Sequence, residues 1–189
     1  MTENQWTQSV CDLLLELDIG QGIHAKTLMR VPYAREITAY KLDFTPKDEK
    51  NTPFETDLLI YEENDQEIKP RVIVEAKLGN ISTHDAITYS YKAQSHKNVT
   101  PFLRYGIMIG GREHYPLPGR LFRHGAHFDF MISFKGEGLE DKERDAFAAL
   151  LVKEIDYSRK LEEMLYNSRN KYRERYFLMQ KELRLEKLE

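Results

Sequence analysis

Several things are scarce in this chain, and each scarcity removes a class of protein. A single cysteine, Cys11, excludes an internal disulfide, and no Cys/His cluster has the spacing of a zinc site. Charge of one sign is missing: 28 Lys and Arg stand against 31 Asp and Glu, a net charge of −3, so any nucleic-acid contact must come from local patches. No stretch approaches the ~20 consecutive apolar residues of a transmembrane helix. The polar Met1–Ser9 has no apolar run behind a basic start, so no secretory signal is expected and the cytoplasm is the expected compartment. After Gly138 there is neither Pro nor Gly, so nothing breaks a helix from Leu139 onward. A chain of 189 residues is one domain by length, with room for an appendage.

What is present reads as alternating helices and strands. Trp6, Val10, Leu13, Leu14 and Leu17 share one stripe of a helix over Gln5–Leu17, closed by Gly20 and Gly22. Residues 23–34 are ambiguous, with Pro32 arguing against a helix. Arg35–Phe44 alternates as a strand, and Thr45–Pro53 reads as a loop. Two further strands, Phe54–Tyr61 and Arg71–Leu78, are joined by a polar turn. Ser82 and Asp85 have capping-box spacing and open a helix to about Lys97. Arg104–Ile109 is a buried strand, Glu113–His127 a loop, and Phe128–Phe134 a last strand with Phe128, Phe130, Ile132 and Phe134 on one face. In the final helix Leu150, Leu161, Tyr172 and Leu183 recur every 11 residues, with Leu165 and Tyr176 as a second pair, a period suited to a nearly straight helix. The expected class is an α/β fold around a mixed sheet. Its first three strands are antiparallel, and a helical crossover leads to the fourth.

The chemistry concentrates between Pro53 and Leu78. Leu58, Ile60, Val72, Val74, Ala76 and Leu78 form one apolar face of the two strands. Glu75 and Lys77, two apart, point to the opposite face, and Asp57 lies on the partner strand. Ionisable groups in strands that otherwise read as buried need a partner, a metal or a catalytic task. Two carboxylates and the carbonyl of Ala76, between Glu75 and Lys77, suit a hard divalent cation that keeps several waters. A lysine beside them can orient water and offset charge on a phosphate. The same pattern is also met by a buried ion pair of Lys77 with Glu75 or Asp57.

Asp57, 17 intervening residues, then Glu75-Ala76-Lys77, in a strand–turn–strand–helix setting, resemble the PD-(D/E)xK nuclease superfamily. The resemblance covers residues 5–110, whose helix, three strands, helix and strand follow that family's core order. Thr56 stands where the family carries its eponymous proline. The resemblance implies a restriction-endonuclease-like fold, with a nuclease-like core over residues 1–138 and a helical extension over residues 139–189. It implies Asp57, Glu75 and the Ala76 carbonyl as ligands of Mg²⁺, with Mn²⁺ as a substitute, and Lys77 as the catalytic lysine. Glu16 and Glu36 are candidates for the acid that many members add from the first helix. Gln94 and Lys92 occupy the helix on which some members, including nuclease subunits of type I restriction systems, carry a glutamine; contact with substrate phosphate is one reading of them, and the solvated basic face of an amphipathic helix is the other. The implied activity is Mg²⁺-dependent phosphodiester hydrolysis in DNA; a nuclease-like domain that binds DNA or protein without cutting is the alternative.

Basic residues gather nearby. Lys92, Lys97, Arg104, Arg112, Arg120 and Arg123 face one acid, Glu113, between Ala86 and Phe128, a local charge of +5. With Tyr115, Phe122 and Phe128 this stretch could track a phosphate backbone and stack on bases; surface charge compensation is the alternative. His96, His114, His124 and His127 share no periodicity and are not read as a metal site. The final helix offers a surface for a homodimer.

Overall fold

The computed structural model describes residues 1–17, 19–112, 116–167, 169–180 and 183–187. Helix α1 (Glu3–Glu16) leads into β1 (Ile23–Tyr40), β2 (Pro46–Glu63) and β3 (Ile68–Leu78). Helix α2 (Thr83–Val99) crosses to β4 (Arg104–Gly110), and short α3 (Gly119–His124) precedes β5 (Phe130–Ser133) and the long α4 (Asp141–Tyr166). The five strands form one sheet in sequence order. The first three are antiparallel, and β3–β4 and β4–β5 are parallel. A mixed sheet with helices on both faces is therefore the observed architecture, in line with the expected class.

The apolar parity read from the hairpin defines one core. Leu58, Ile60, Val72, Val74 and Ala76 pack with Trp6, Val10, Cys11 and Leu14 of α1 and with Phe147, Leu151 and Ile155 of α4. The opposite face is also covered. Leu59, Ile73, Tyr105, Ile107 and Ile109 pack with Ala86 and Ala93 of α2 and Leu121 of α3. Glu75 shares this second face, so it lies under a helix and away from open solvent.

Both helices beside the site are set by their caps. Thr2 and Gln5 exchange capping-box bonds at α1. At α2 the expected box forms: the Ser82 amide donates to Asp85 Oδ2 at 2.7 Å and the Asp85 amide to Ser82 Oγ at 3.0 Å. Gly110 admits α1 over the end of β4, because a Cβ there would lie 2.4 Å from Cζ2 of Trp6.

Some expectations are corrected. The ambiguous stretch 23–34 belongs to β1, and Pro32 is accommodated at an irregularity of an edge strand. The expected loop over Thr45–Pro53 is strand from Pro46 onward, paired with β1 in a long ribbon, while the expected strand Arg35–Phe44 ends at Tyr40. Short α3 forms within the Glu113–His127 loop. Phe128 packs on the second core, away from Phe130 and Phe134, because β5 starts only at Phe130. The final helix stops at Tyr166, and none of the described residues from Asn167 onward is helical. Its apolar residues Phe147, Leu151 and Ile155 are covered by the chain's own core. Among the described residues no helix is long and apolar enough to cross a membrane.

Adding a methyl at Gly110 forces the Trp6 indole off the sheet. Gly110→Ala is expected to cost about 1–3 kcal/mol in urea unfolding through overpacking, whereas Gly119→Ala, where a Cβ meets nothing within 4 Å, should change stability far less.

Candidate active site

The site is built where the ladder between β2 and β3 ends. The last paired residues are Leu58 and Val74; from Thr56 back to Pro46, β2 has partners on β1 alone. Asp57 is the first residue past the split, and its Oδ2 accepts the backbone N–H of Ala76 at 2.8 Å. A side-chain carboxylate thus takes over a donor that β2 no longer satisfies. The β1 side is also irregular there. Leu28, across from Asp57, is missing from the paired residues and has a φ of 56°. A β-branched or bulky residue rarely holds that left-handed conformation outside a constrained site. In a strand, a residue's N–H and C=O leave on the same edge, so the Ala76 carbonyl also faces the Asp57 side.

Glu75 is 1% exposed. Its Oε1 receives the hydroxyl of Tyr105 and lies 2.7 Å from Nζ of Lys92. Burial pushes its pKa up to about 7, opposed by Lys92 and reinforced by the charge of Asp57. Tyr105 is driven well above the ordinary tyrosine value by its burial and by Glu75, so it remains a donor. The ion pairs and hydrogen bonds of the two carboxylates use Oδ2 of Asp57 and Oε1 of Glu75.

Lys77 pairs with neither of them. Its Nζ lies 3.1 Å from Oε1 of Glu3 and 5.1 Å from the centre of the Tyr89 ring. Burial works against its charge, but Tyr89 and Glu3 outweigh it and hold the pKa above the ordinary lysine value. Oε2 of Glu3 also accepts the Leu78 amide at 3.1 Å. Both ion pairs that the pattern alone allowed, Lys77 with Glu75 or with Asp57, are therefore replaced by others.

Glu3 is the acid that the first helix brings to this site. Glu16 lies at the other end of α1, exposed, roughly 20 Å along the axis. Glu36 is exposed on the far part of the β1–β2 ribbon, across from Lys50. Neither joins the cluster. The first-turn position of Glu3, directly after the capping residue Thr2, was the available signal: it aims the carboxylate back toward the strand ends that α1 covers.

Of the expected substrate contacts, Lys92 moves to the centre. Besides Glu75, its Nζ meets the Glu55 carbonyl at 3.2 Å and the Phe54 ring at 5.0 Å. Gln94, two residues on, projects from another side of α2 and bonds Asn98. Arg112 bonds the Gly79 carbonyl and Asn80, and Arg120 bonds the Ile81 carbonyl, so both brace the turn after β3. Arg123 is exposed on α3. Lys97 and Arg104 are committed to Asp129 and Glu154 at the other end of β4. The +5 stretch is thus divided among separate tasks and does not form one basic surface. Phe122 is exposed, Phe128 is buried, and Glu113, His114 and Tyr115 lie outside the described residues.

His96 adds a support that the sequence did not reveal. Its Nδ1 faces the Pro32 carbonyl at 3.1 Å and its ring stacks on Tyr105. A carbonyl only accepts, so Nδ1 carries the proton. Burial lowers its pKa to about 4.

Among the described residues no group of three or more His, Cys, Asp or Glu side chains is arranged to hold a metal ion. The donor set is smaller: two carboxylates that each keep one oxygen outside the contacts described, and a backbone carbonyl on the same side. That set fits a cation which retains most of its water. No family model and no curated protein matches the chain. The class defined so far is an α/β protein with a mixed sheet and an acidic, lysine-flanked cluster at the carboxyl end of β3.

The raised pKa has a pH consequence. Glu75 moves from 4.5 to about 7 on folding, so its contribution to stability is complete below pH 4.5 and is lost as pH rises through about 7. In chelator-treated protein, the unfolding free energy of wild type relative to Glu75→Gln should fall by roughly 3 kcal/mol across that window, read by urea titration. A difference that does not vary with pH would contradict the shift.

Proposed function

We propose that the chain is a Mg²⁺-dependent nuclease that hydrolyses phosphodiester bonds in DNA, in a restriction, repair or phage-defence setting. The observation that carries this reading is the approach of Asp57 to Glu75 where β2 leaves β3, with Tyr89 lying between these carboxylates and the Lys77–Glu3 pair. The carboxyl ends of strands are where open α/β sheets receive ligands.

Asp57, Glu75 and the Ala76 carbonyl would hold the ion. When bound, it polarises a phosphate oxygen and stabilises negative charge that develops there. Asp57 is fixed by the Ala76 amide and Glu75 by the Tyr105 hydroxyl, so both carboxylates are positioned before substrate arrives. Lys77 stays charged at neutral pH and, held by Glu3, presents its ammonium beside the site. There it orients the attacking water and balances charge on the phosphate.

The test uses supercoiled plasmid and single-stranded DNA with Mg²⁺, with EDTA, and with Asp57→Ala and Lys77→Ala, each variant checked for cooperative melting. Cleavage should require the ion and fall at least about 100-fold in either variant. Metal-independent cleavage, or full activity in a folded variant, would overturn the mechanism.

One observation favours a second reading, a nuclease-like domain that binds without cutting. Both lysines at the site are already held by carboxylates, Lys77 by Glu3 and Lys92 by Glu75. That reading expects DNA binding with a steep salt dependence and no cleavage with any divalent ion.

A further inference from the structure

Lys92 sits where a cation would neutralise Glu75. Its ammonium is 2.7 Å from Oε1, and the side chain is only 11% exposed. A carboxylate buried to this extent needs a positive partner, and Lys92 is the one it has. The rest of the lysine's surroundings are weaker holds. They are the Glu55 carbonyl at 3.2 Å and the rings of Phe54 and Tyr89, at 5.0 and 5.9 Å from Nζ. Phe54 is 44% exposed. The lysine therefore has a cation–π resting place on the solvent side of the carboxylate. Glu75 does not depend on Lys92 for its position, because the Tyr105 hydroxyl holds the same oxygen from within the core.

We propose that Lys92 is a resident counter-cation of Glu75 that a divalent ion displaces, and that the freed ammonium turns outward beside Phe54 to face substrate phosphate. This rests on the reading of Asp57 and Glu75 as metal ligands. Lys92 and the ion compete for one carboxylate, so the lysine lowers the affinity for the ion. It also balances the buried charge of Glu75 while no ion is bound. Because binding linkage is reciprocal, phosphate that captures the displaced lysine raises the affinity for the ion. The ion would then be bound most tightly when substrate is present.

The experiment is Mn²⁺ binding by calorimetry to wild type, Lys92→Met, and Lys92→Met combined with Glu75→Gln. Lys50→Met, on the exposed far part of the ribbon, is the control. Lys92→Met should bind Mn²⁺ about tenfold tighter than wild type, the control should match wild type, and the double variant should lose binding. Equal or weaker binding by Lys92→Met, with wild type still binding, overturns the displacement and leaves the metal ligands standing. Binding that survives Glu75→Gln, or is absent from wild type and Lys92→Met alike, overturns the metal-site reading and the displacement with it. A second measurement needs no variant. In wild type, saturating Mn²⁺ should increase acylation of the Lys92 amine several-fold, read by peptide mass spectrometry, and unchanged or reduced labelling contradicts release.

Discussion

The site depends on one hydrogen bond across a broken ladder. Where β2 leaves β3, the Ala76 amide has lost its strand partner, and Asp57 Oδ2 supplies the acceptor at 2.8 Å. An unsatisfied amide beside the core would cost on the order of 1–3 kcal/mol. The bond therefore fixes a carboxylate at the point where the sheet opens. The open edge, the Ala76 carbonyl and the approach of α1 all follow from that split. Without it, β2 would continue along β3 and the ladder would use the Ala76 groups.

Around this point the chain has placed charges of both signs in overlapping pairs. Glu75 is answered by Lys92 from α2, and Lys77 by Glu3 from α1. The two helices on opposite faces of the sheet each contribute one member, so the cluster also ties the layers together. Tyr105 and His96 stand behind Glu75 as a stacked pair anchored to Pro32 of the ribbon. The rigidity comes from packing, and the charge pairs sit on top of it. That division suits a site whose cations can be exchanged while its carboxylates stay in place.

Much of this was legible from residue pattern. The parity of Leu58, Ile60, Val72, Val74 and Ala76 identified the core face, because side chains alternate on strands. The capping box at Ser82 placed the start of α2, since the side chains that close it are three residues apart. What the pattern could not supply was distance between elements. Lys92 and Glu75 are 17 positions apart on different elements, and only the packing of α2 over β3 brings them together. The first-turn place of Glu3 was readable, but its pairing with Lys77, 74 positions away, again needs the packing of α1. The long ribbon was hidden because its polar, two-sided sequence carries no burial signal, with most of residues 46–55 exposed. The helix after Tyr166 failed in the other direction: propensity alone does not hold a helix whose apolar side chains have nothing to pack on.

The most direct measurement is a crystal of the protein soaked in Mn²⁺ and recorded at the manganese absorption edge. An anomalous peak should appear in contact with the carboxylates of Asp57 and Glu75 and with the Ala76 carbonyl, with Lys92 turned away from Glu75. A crystal with no peak at this cluster, and with Lys92 still paired to Glu75 at saturating Mn²⁺, would contradict the proposal that the cluster is a metal-dependent active site.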